Sequence, residues 1–390
     1  MMEATQDAKT LILPLTGRID SANAAAVETE LAAAAADAGE ALVLDAAGLS
    51  YISSAGLRVV LRLKKAHREL KIINANAEVY EIFDMTGFTE MMDIAKAYRQ
   101  ISIEGCEVIG EGANGVVYRI DADTIVKVYK NRDALEEIHN ERELARKAFV
   151  MGVPTAIPYD VVQVGDLYGS VFELLNAKSF AKLLIADPAL TEELAKESVD
   201  ILKTMHGTEL KPGELPDKKA EALVWAEFCR DHLPADVGEK LVRLVREIPE
   251  TQNMLHGDYH IKNIMRQNGE NLLIDMDTLS MGHPIFEFAA IYLAYVGFSC
   301  IDHNNVKEFL GIPYEQAQQF WHATLKYYFV GRDEAFLQEI EDRAAIIGYA
   351  RVLRRTFRKA KESEDYKARL IAYCKQTLCE LVPKTDSLAF

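Results

Sequence analysis

The sequence predicts a small α/β domain followed by a bilobal α+β unit, a β-rich lobe leading into a helical one. Three observations carry this. Short apolar runs alternate with helical patterns up to Gln100. The pattern after Gln100 becomes alternating and punctuated by glycine, and from Phe180 onward it is helical almost throughout, interrupted only at His256–Asp277. At 390 residues the chain is also too long for one ordinary core.

In the first domain (residues 1–100) the expected strands are Leu11–Leu15, Ala41–Leu44 and Lys71–Ile73. The expected helices are Ala22–Asp37, Ala55–Glu69 and Ala77–Met85, with Asp20 or Ser21 capping the first. The second unit (101–390) divides into a β-rich lobe over about 103–175 and a helical lobe over about 176–390. A charged helix, Ala134–Val150, lies within the β-rich lobe and ends before Gly152-Val-Pro.

Composition narrows the function classes. Hydrophobic residues make up 49% and charged residues 27%, the mix of a globular chain rather than a disordered one. With 44 Lys and Arg against 60 Asp and Glu, the net charge of -16 repels phosphate-rich polymers, so no nucleic acid or anionic membrane is expected as a partner. A local basic pocket is still compatible with it. The start, MMEATQDAKT, has no basic segment leading into an apolar one, so no secretory signal is expected. The longest apolar run, Phe288–Ile301, has 14 residues against the roughly 20 a membrane span needs, and reads as a buried core helix. Five cysteines without a C-x-x-C fit a reducing, cytoplasmic location.

Three motifs in the second unit point to phosphoryl transfer. Gly110, Gly112 and Gly115 form G-x-G-x-x-G, a pattern shared with dinucleotide folds and ordinary glycine turns. Here Val116–Tyr118 continue as a strand rather than a helix, which favours a glycine flap whose backbone N–H groups close over phosphates. Lys127 follows 17 positions after Gly110 in the apolar run Ile-Val-Lys-Val-Tyr, where burial demands an anionic partner; otherwise it faces water on an edge strand. Glu141 is the expected partner, with Glu143 as the alternative register.

The third motif is His256-Gly257-Asp258-Tyr259-His260-Ile261-Lys262-Asn263, then Ile274-Asp275-Met276-Asp277. One carboxylate, an Asn five positions on and a second carboxylate 12 beyond suit an acceptor-orienting base, Asp258, and a Mg²⁺ pair, Asn263 and Asp275. His256 and His260, at i and i+4, form an alternative zinc pair, but no third ligand stands at a matching spacing.

These motifs resemble the aminoglycoside phosphotransferase and choline-kinase-like branch of the protein-kinase fold, from about Cys106 to residue 380. The resemblance implies ATP and Mg²⁺ as cofactors, with adenine against a hinge near Phe172-Glu173-Leu174-Leu175, so that Glu173 and Leu175 join the nucleotide site. His260 stands where protein kinases usually carry Lys, as in the small-molecule branch, and D-F-G and A-P-E are absent. Relatives often show G-D-P and then an Asp; here Gly282-His283-Pro284 and Glu287 stand instead, a departure that falls on the packing under the metal loop.

In the first domain, Asp45 followed by Gly48-Leu-Ser-Tyr-Ile-Ser53-Ser54-Ala-Gly56-Leu57 resembles the STAS domain of anti-sigma-factor antagonists, over about Lys9–Ala97. Ser54 matches the serine that partner kinases phosphorylate there, and Ser53 falls where many relatives carry Asp. A phosphate at a helix start meets free N–H groups, but the same serines suit a plain N-cap. The resemblance implies an anti-sigma factor or another STAS-binding protein as partner.

Near the C-terminus, Arg351, Arg354, Arg355, Arg358 and Lys361 share one helical face. A solvated face is the expectation; docking of an acidic surface or an anionic substrate is the alternative. Two functions follow: an ATP-dependent phosphotransferase acting on a small-molecule hydroxyl or a protein serine and regulated through STAS, or a signalling adaptor whose kinase-like part senses nucleotide.

Overall fold

The computed structural model describes residues 11–36, 41–112, 114–174, 177–358 and 363–390. Contacts divide them into two units: the residues up to Glu104 together with Val161–Gly169, and Gly105–Asp160 together with Ser170–Phe390.

The first unit is built on a four-stranded parallel sheet of order β1-β2-β3-β4: β1 Leu11–Ile19, β2 Leu42–Ile52, β3 Lys71–Ala75 and β4 Ile94–Lys96. Helices α1 Ala24–Ala34, α2 Ser54–Ala66 and α3 Ala77–Met85 connect successive strands. Alternation in β2 buries Leu42, Leu44 and Ala46. The strands extend beyond the apolar runs seen in the sequence, and β4 has too few residues to show a pattern. α1 begins two residues later than expected. Asp20 does not cap it, because its Oδ1 accepts from Ala22 N at 2.9 Å and closes the preceding turn, while Asn23 occupies the N-cap position.

The serine motif sits at the β2–α2 junction. Ser53 is the N-cap, its hydroxyl accepting from Ala55 N at 3.2 Å, and Ser54 is the first helical residue, exposed. Gly56 follows because α2 is laid onto the strand ends. A β-carbon there would lie 2.7 Å from Ile52 Cγ1 and 2.8 Å from Ile19 Cγ2.

In the second unit Glu107–Glu111, Gly115–Arg119 and Thr124–Tyr129 form an antiparallel meander. The strand ending at Glu173 lies along Thr124–Tyr129, and Leu174 N bonds Asp123 O at 2.7 Å. The helical part is organised around Ile285–Tyr295, buried on nearly every side. This helix covers only the first part of the apolar run Phe288–Ile301; it ends at Tyr295, and Gly297–Ser299 form a separate 3₁₀ turn. The long helix Glu334–Arg358 packs along it, with Gly348 allowing close approach to Leu293. Among the described residues no helix is long and apolar enough to cross a membrane, and all five cysteines are free thiols.

Candidate functional site

One cavity of about 1050 Å³ opens within the second unit, lined by parts of all three motifs. Gly110, Gly112 and Gly115 line it, Gly110 near the end of the first strand of the meander, Gly112 in the turn and Gly115 at the start of the second strand. Only Gly115 is demanded by packing within the protein: a β-carbon there would lie 2.7 Å from Val128 O. Around Gly110 and Gly112 nothing comes closer than 3.8 Å, so the fold itself gives no reason for those glycines.

Lys127 projects from the third strand into the cavity. Its Nζ lies 3.0 Å from both Glu141 oxygens and 3.0 Å from Asp275 Oδ1. Glu141 is buried in the middle of Leu135–Val150 and also accepts from Tyr129 OH. Glu143 lies away from Lys127, against a small separate pocket beside Arg142 and Tyr159. Burial works against the Lys127 charge, yet the carboxylates of Glu141 and Asp275 outweigh it and hold the ammonium well above its ordinary range.

Asp258 comes from the loop after Met254–Leu255, and every turn of that loop is pinned. His256 is fully buried; its Nδ1 accepts from Asp258 N at 3.3 Å, which leaves Nε2 to donate to Ile274 O at 3.2 Å. Burial draws its pKa down, and with both ring nitrogens bonded to backbone it has none to offer zinc. Gly257 adopts φ +82°, and a β-carbon there would lie 2.6 Å from Thr278 O. Thr278 Oγ1 in turn donates to His256 O at 2.7 Å. Tyr295 OH accepts from Ile261 N at 3.0 Å.

Glu287, where an Asp is usual, explains the packing under this loop. Its two oxygens accept from the backbone N–H groups of His256 and of Gly257, the latter at 2.9 Å. The longer side chain reaches the loop from the start of the buried helix. Burial pushes its carboxyl up to about 7 against the pull of those two donors.

The Asp258 carboxylate is open to the cavity, with Oδ2 3.5 Å from His260 Nε2. Burial raises its pKa, but the bond from His260 and the nearby charges of His260, His256 and Arg351 outweigh it, leaving the carboxyl below its usual value. Asn263 Nδ2 donates to Asp258 O at 3.0 Å, which turns its oxygen the other way. Asp275 stands at φ +66°, a left-handed conformation costly for a residue with a side chain. Asp277, also on the cavity wall, is pushed up to about 7 by burial and by the charges of Asp275 and Glu141.

Phe172 and Glu173 line the same cavity, while Leu175 and Lys361 lie outside the described residues. The arginine face is not uniformly solvated: Arg351 is half-buried, and Arg351 and Arg355 both line the cavity. Sequence spacing placed these arginines on one face. Their neighbours Val352, Leu353 and Thr356, buried in the structure, are the signal that the face borders a packed interior.

A family model described as the phosphotransferase enzyme family (APH) matches residues 105–329, and that of the STAS domain matches residues 1–101. BtrV of Bordetella bronchiseptica, whose name marks it as an anti-sigma factor antagonist, is 41% identical over 91 residues, 22% of this chain and 78% of that protein. Two solved structures superpose on the chain. ADP-bound aminoglycoside phosphotransferase APH(2'')-Ib does so with a TM-score of 0.47 at 15% identity, covering 77% of this chain and 98% of that one. A thermostable mutant of APH(4)-Ia, in a ternary complex with AMP-PNP and hygromycin B, gives 0.49 at 14%, covering 72% and 94%. The chain belongs to the phosphotransferase enzyme family and carries a STAS domain ahead of its phosphotransferase domain.

Proposed function

We propose that the chain transfers the γ-phosphoryl group of ATP to a hydroxyl, under control exerted through its STAS domain. The observation that carries this reading is Lys127, held at 3.0 Å by both Glu141 and Asp275, in one cavity with Asp258 and Asn263. Three distant stretches of sequence supply that group.

In this reading Lys127 takes the α- and β-phosphates, Glu141 holds it there, and the glycine turn covers the phosphates with N–H groups. Phe172 and Glu173 border the adenine. Asp258 orients the acceptor hydroxyl; the acceptor oxygen forms a bond to the γ-phosphorus as the bond to the β–γ bridging oxygen breaks, ADP departs, and the hydroxyl proton passes to Asp258. A carboxylate held below its usual pKa is a weak base, so the proton moves late.

The donor set fits Mg²⁺. Asn263 turns an amide oxygen away from its Asp258 contact, and Asp275 offers a carboxylate, both hard oxygens. Bound there, Mg²⁺ would offset charge on the phosphates.

The likeness of the first unit to BtrV favours a partner-binding role for it, with an anti-sigma factor or similar protein as the partner class. Ser54, exposed at the first helical position of α2, is the proposed phosphorylation site. Docking without self-modification is the default.

Incubating the full chain with Mg-ATP and sugars, amino alcohols and hydroxy acids should release ADP with at least one acceptor. Mg-dependent ATP binding without turnover would reject the enzyme reading in favour of the nucleotide-sensing adaptor, and absence of both would reject the two together. Mass spectrometry of the same incubation, with Ser54→Ala and Asp258→Asn as controls, reports whether Ser54 is modified.

A further inference from the structure

The cavity is electrically divided. Its carboxylates, among them Glu141, Asp275 and Asp277, come from the β-rich part or the loops at His256–Asp277. The rest of the wall is supplied by the later helices and carries no carboxylate at all among the described residues. What it carries is Arg351 and Arg355, with Lys262 beside Asp258. In a chain of net charge -16, a wall of this sign is against the average.

None of these three cations is used up by the fold. Among the described residues Arg351, Arg355 and Lys262 make no hydrogen bond or ion pair; each lies instead near an aromatic ring, Arg351 5.6 Å from Trp225, Arg355 5.7 Å from Phe298 and Lys262 5.4 Å from Phe309. Such rings hold a guanidinium in place but leave its N–H groups unspent. Arg351 is half-buried, and burial works against its charge; Glu221, Asp258 and Glu287 are near enough to support it but none is bonded to it. Its charge is felt at Asp258, so it stands close to the group that would orient the acceptor. Asn305 donates to Tyr366 OH at 3.2 Å, adding a fixed polar edge to the same wall.

We infer that the phosphate acceptor is a hydroxyl compound bearing its own anionic group, a carboxylate or a phosphate monoester, seated on Arg351 and Arg355 while its hydroxyl faces Asp258. A polycationic acceptor would meet three positive charges whose N–H groups no protein carboxylate bonds; an anion turns them into paired, charge-assisted bonds. The inference rests on the phosphotransferase reading of the same cavity and deepens it.

Two arms of one experiment test it on the full chain. In the first, Mg-ATP turnover is measured with glycerate, glycerol 3-phosphate, glycerol, ethanolamine and kanamycin. An anionic acceptor should be preferred, glycerate against glycerol 3-phosphate telling carboxylate from phosphate. Arg351→Gln should raise its KM roughly 10- to 100-fold, with partial rescue by Arg351→Lys and a smaller effect on KM for glycerol. Preference for ethanolamine or kanamycin, or no use of either anion, overturns the inference and leaves the phosphotransferase reading in place.

In the second arm, thermal stabilisation by glycerate and glycerol 3-phosphate is read without ATP. Stabilisation by at least one anion, lost in Arg351→Gln and Arg355→Gln, supports the inference; stabilisation by neither, or equal stabilisation in the variants, overturns it. Anion binding that survives where Mg-ATP binding is absent would reject the nucleotide reading instead.

Discussion

Lys127 Nζ stands 3.0 Å from Asp275 Oδ1, so the lysine of the apolar strand and the carboxylate that follows Ile274 share one ion pair across the cavity. Asp275 therefore already serves a cation before any metal arrives. Asp275→Ala leaves the left-handed backbone no less strained and should remove Mg-dependent ATP affinity, as followed by calorimetry. Unchanged Mg-ATP affinity would move the metal role to Asp277.

Asp258→Asn keeps shape and hydrogen bonding but removes the proton acceptor. Turnover should fall by roughly 10²- to 10⁴-fold while ATP affinity stays within a few fold. Steady-state kinetics alongside nucleotide titration checks this, and full activity would remove Asp258 from the chemistry.

The glycines should separate by role. Gly115→Ala forces a β-carbon against Val128 O and should destabilise the fold by about 1–3 kcal/mol, seen as a lower denaturation midpoint. Gly110→Ala meets open space, so stability should hold while ATP affinity drops. Equal stability loss in both would mean the turn is purely structural.

Glu287 makes stability depend on pH. Its folded value of about 7 lies above that of an unfolded glutamate, so its stabilising share is whole below about pH 4.3 and is lost as pH rises through 7. Glu287→Gln leaves one of two backbone N–H groups unpaired and should cost about 1–3 kcal/mol at pH 5. It should also flatten the stability slope between pH 5 and 8, by at most about 1.4 kcal/mol per pH unit. Parallel slopes in urea melts of the two proteins would reject the assignment.

Much of this was legible in the sequence because polar groups in apolar surroundings need partners. Lys127 in an apolar strand called for a carboxylate, and the fixed spacing of Asp258, Asn263 and Asp275 brought them to one cavity. Helical phase was the first thing it left open. Glu141 and Glu143 differ by half a turn, and only the packing of Ile138, Leu144 and Ala145 decides which points inward. Arg351 shows the same limit: its face was visible, whereas the rest of that wall comes from residues such as Asn305 and Tyr366, unrelated to it by any sequence period. β4, three residues long, was too short to alternate visibly.

The contact of Gly257 with Thr278 leaves no room even for a methyl group between the loop of Asp258 and the loop of Asp275. Tied further by Thr278 to His256 O and by His256 to Ile274 O, the two loops form a single rigid plate. A signal cannot silence such a plate by swinging one loop off the other without breaking all three ties together. Any control by a partner would have to act elsewhere, for example on the glycine turn. Inhibition reached in this way should leave the spacing of Asp258 and Asp275 unchanged.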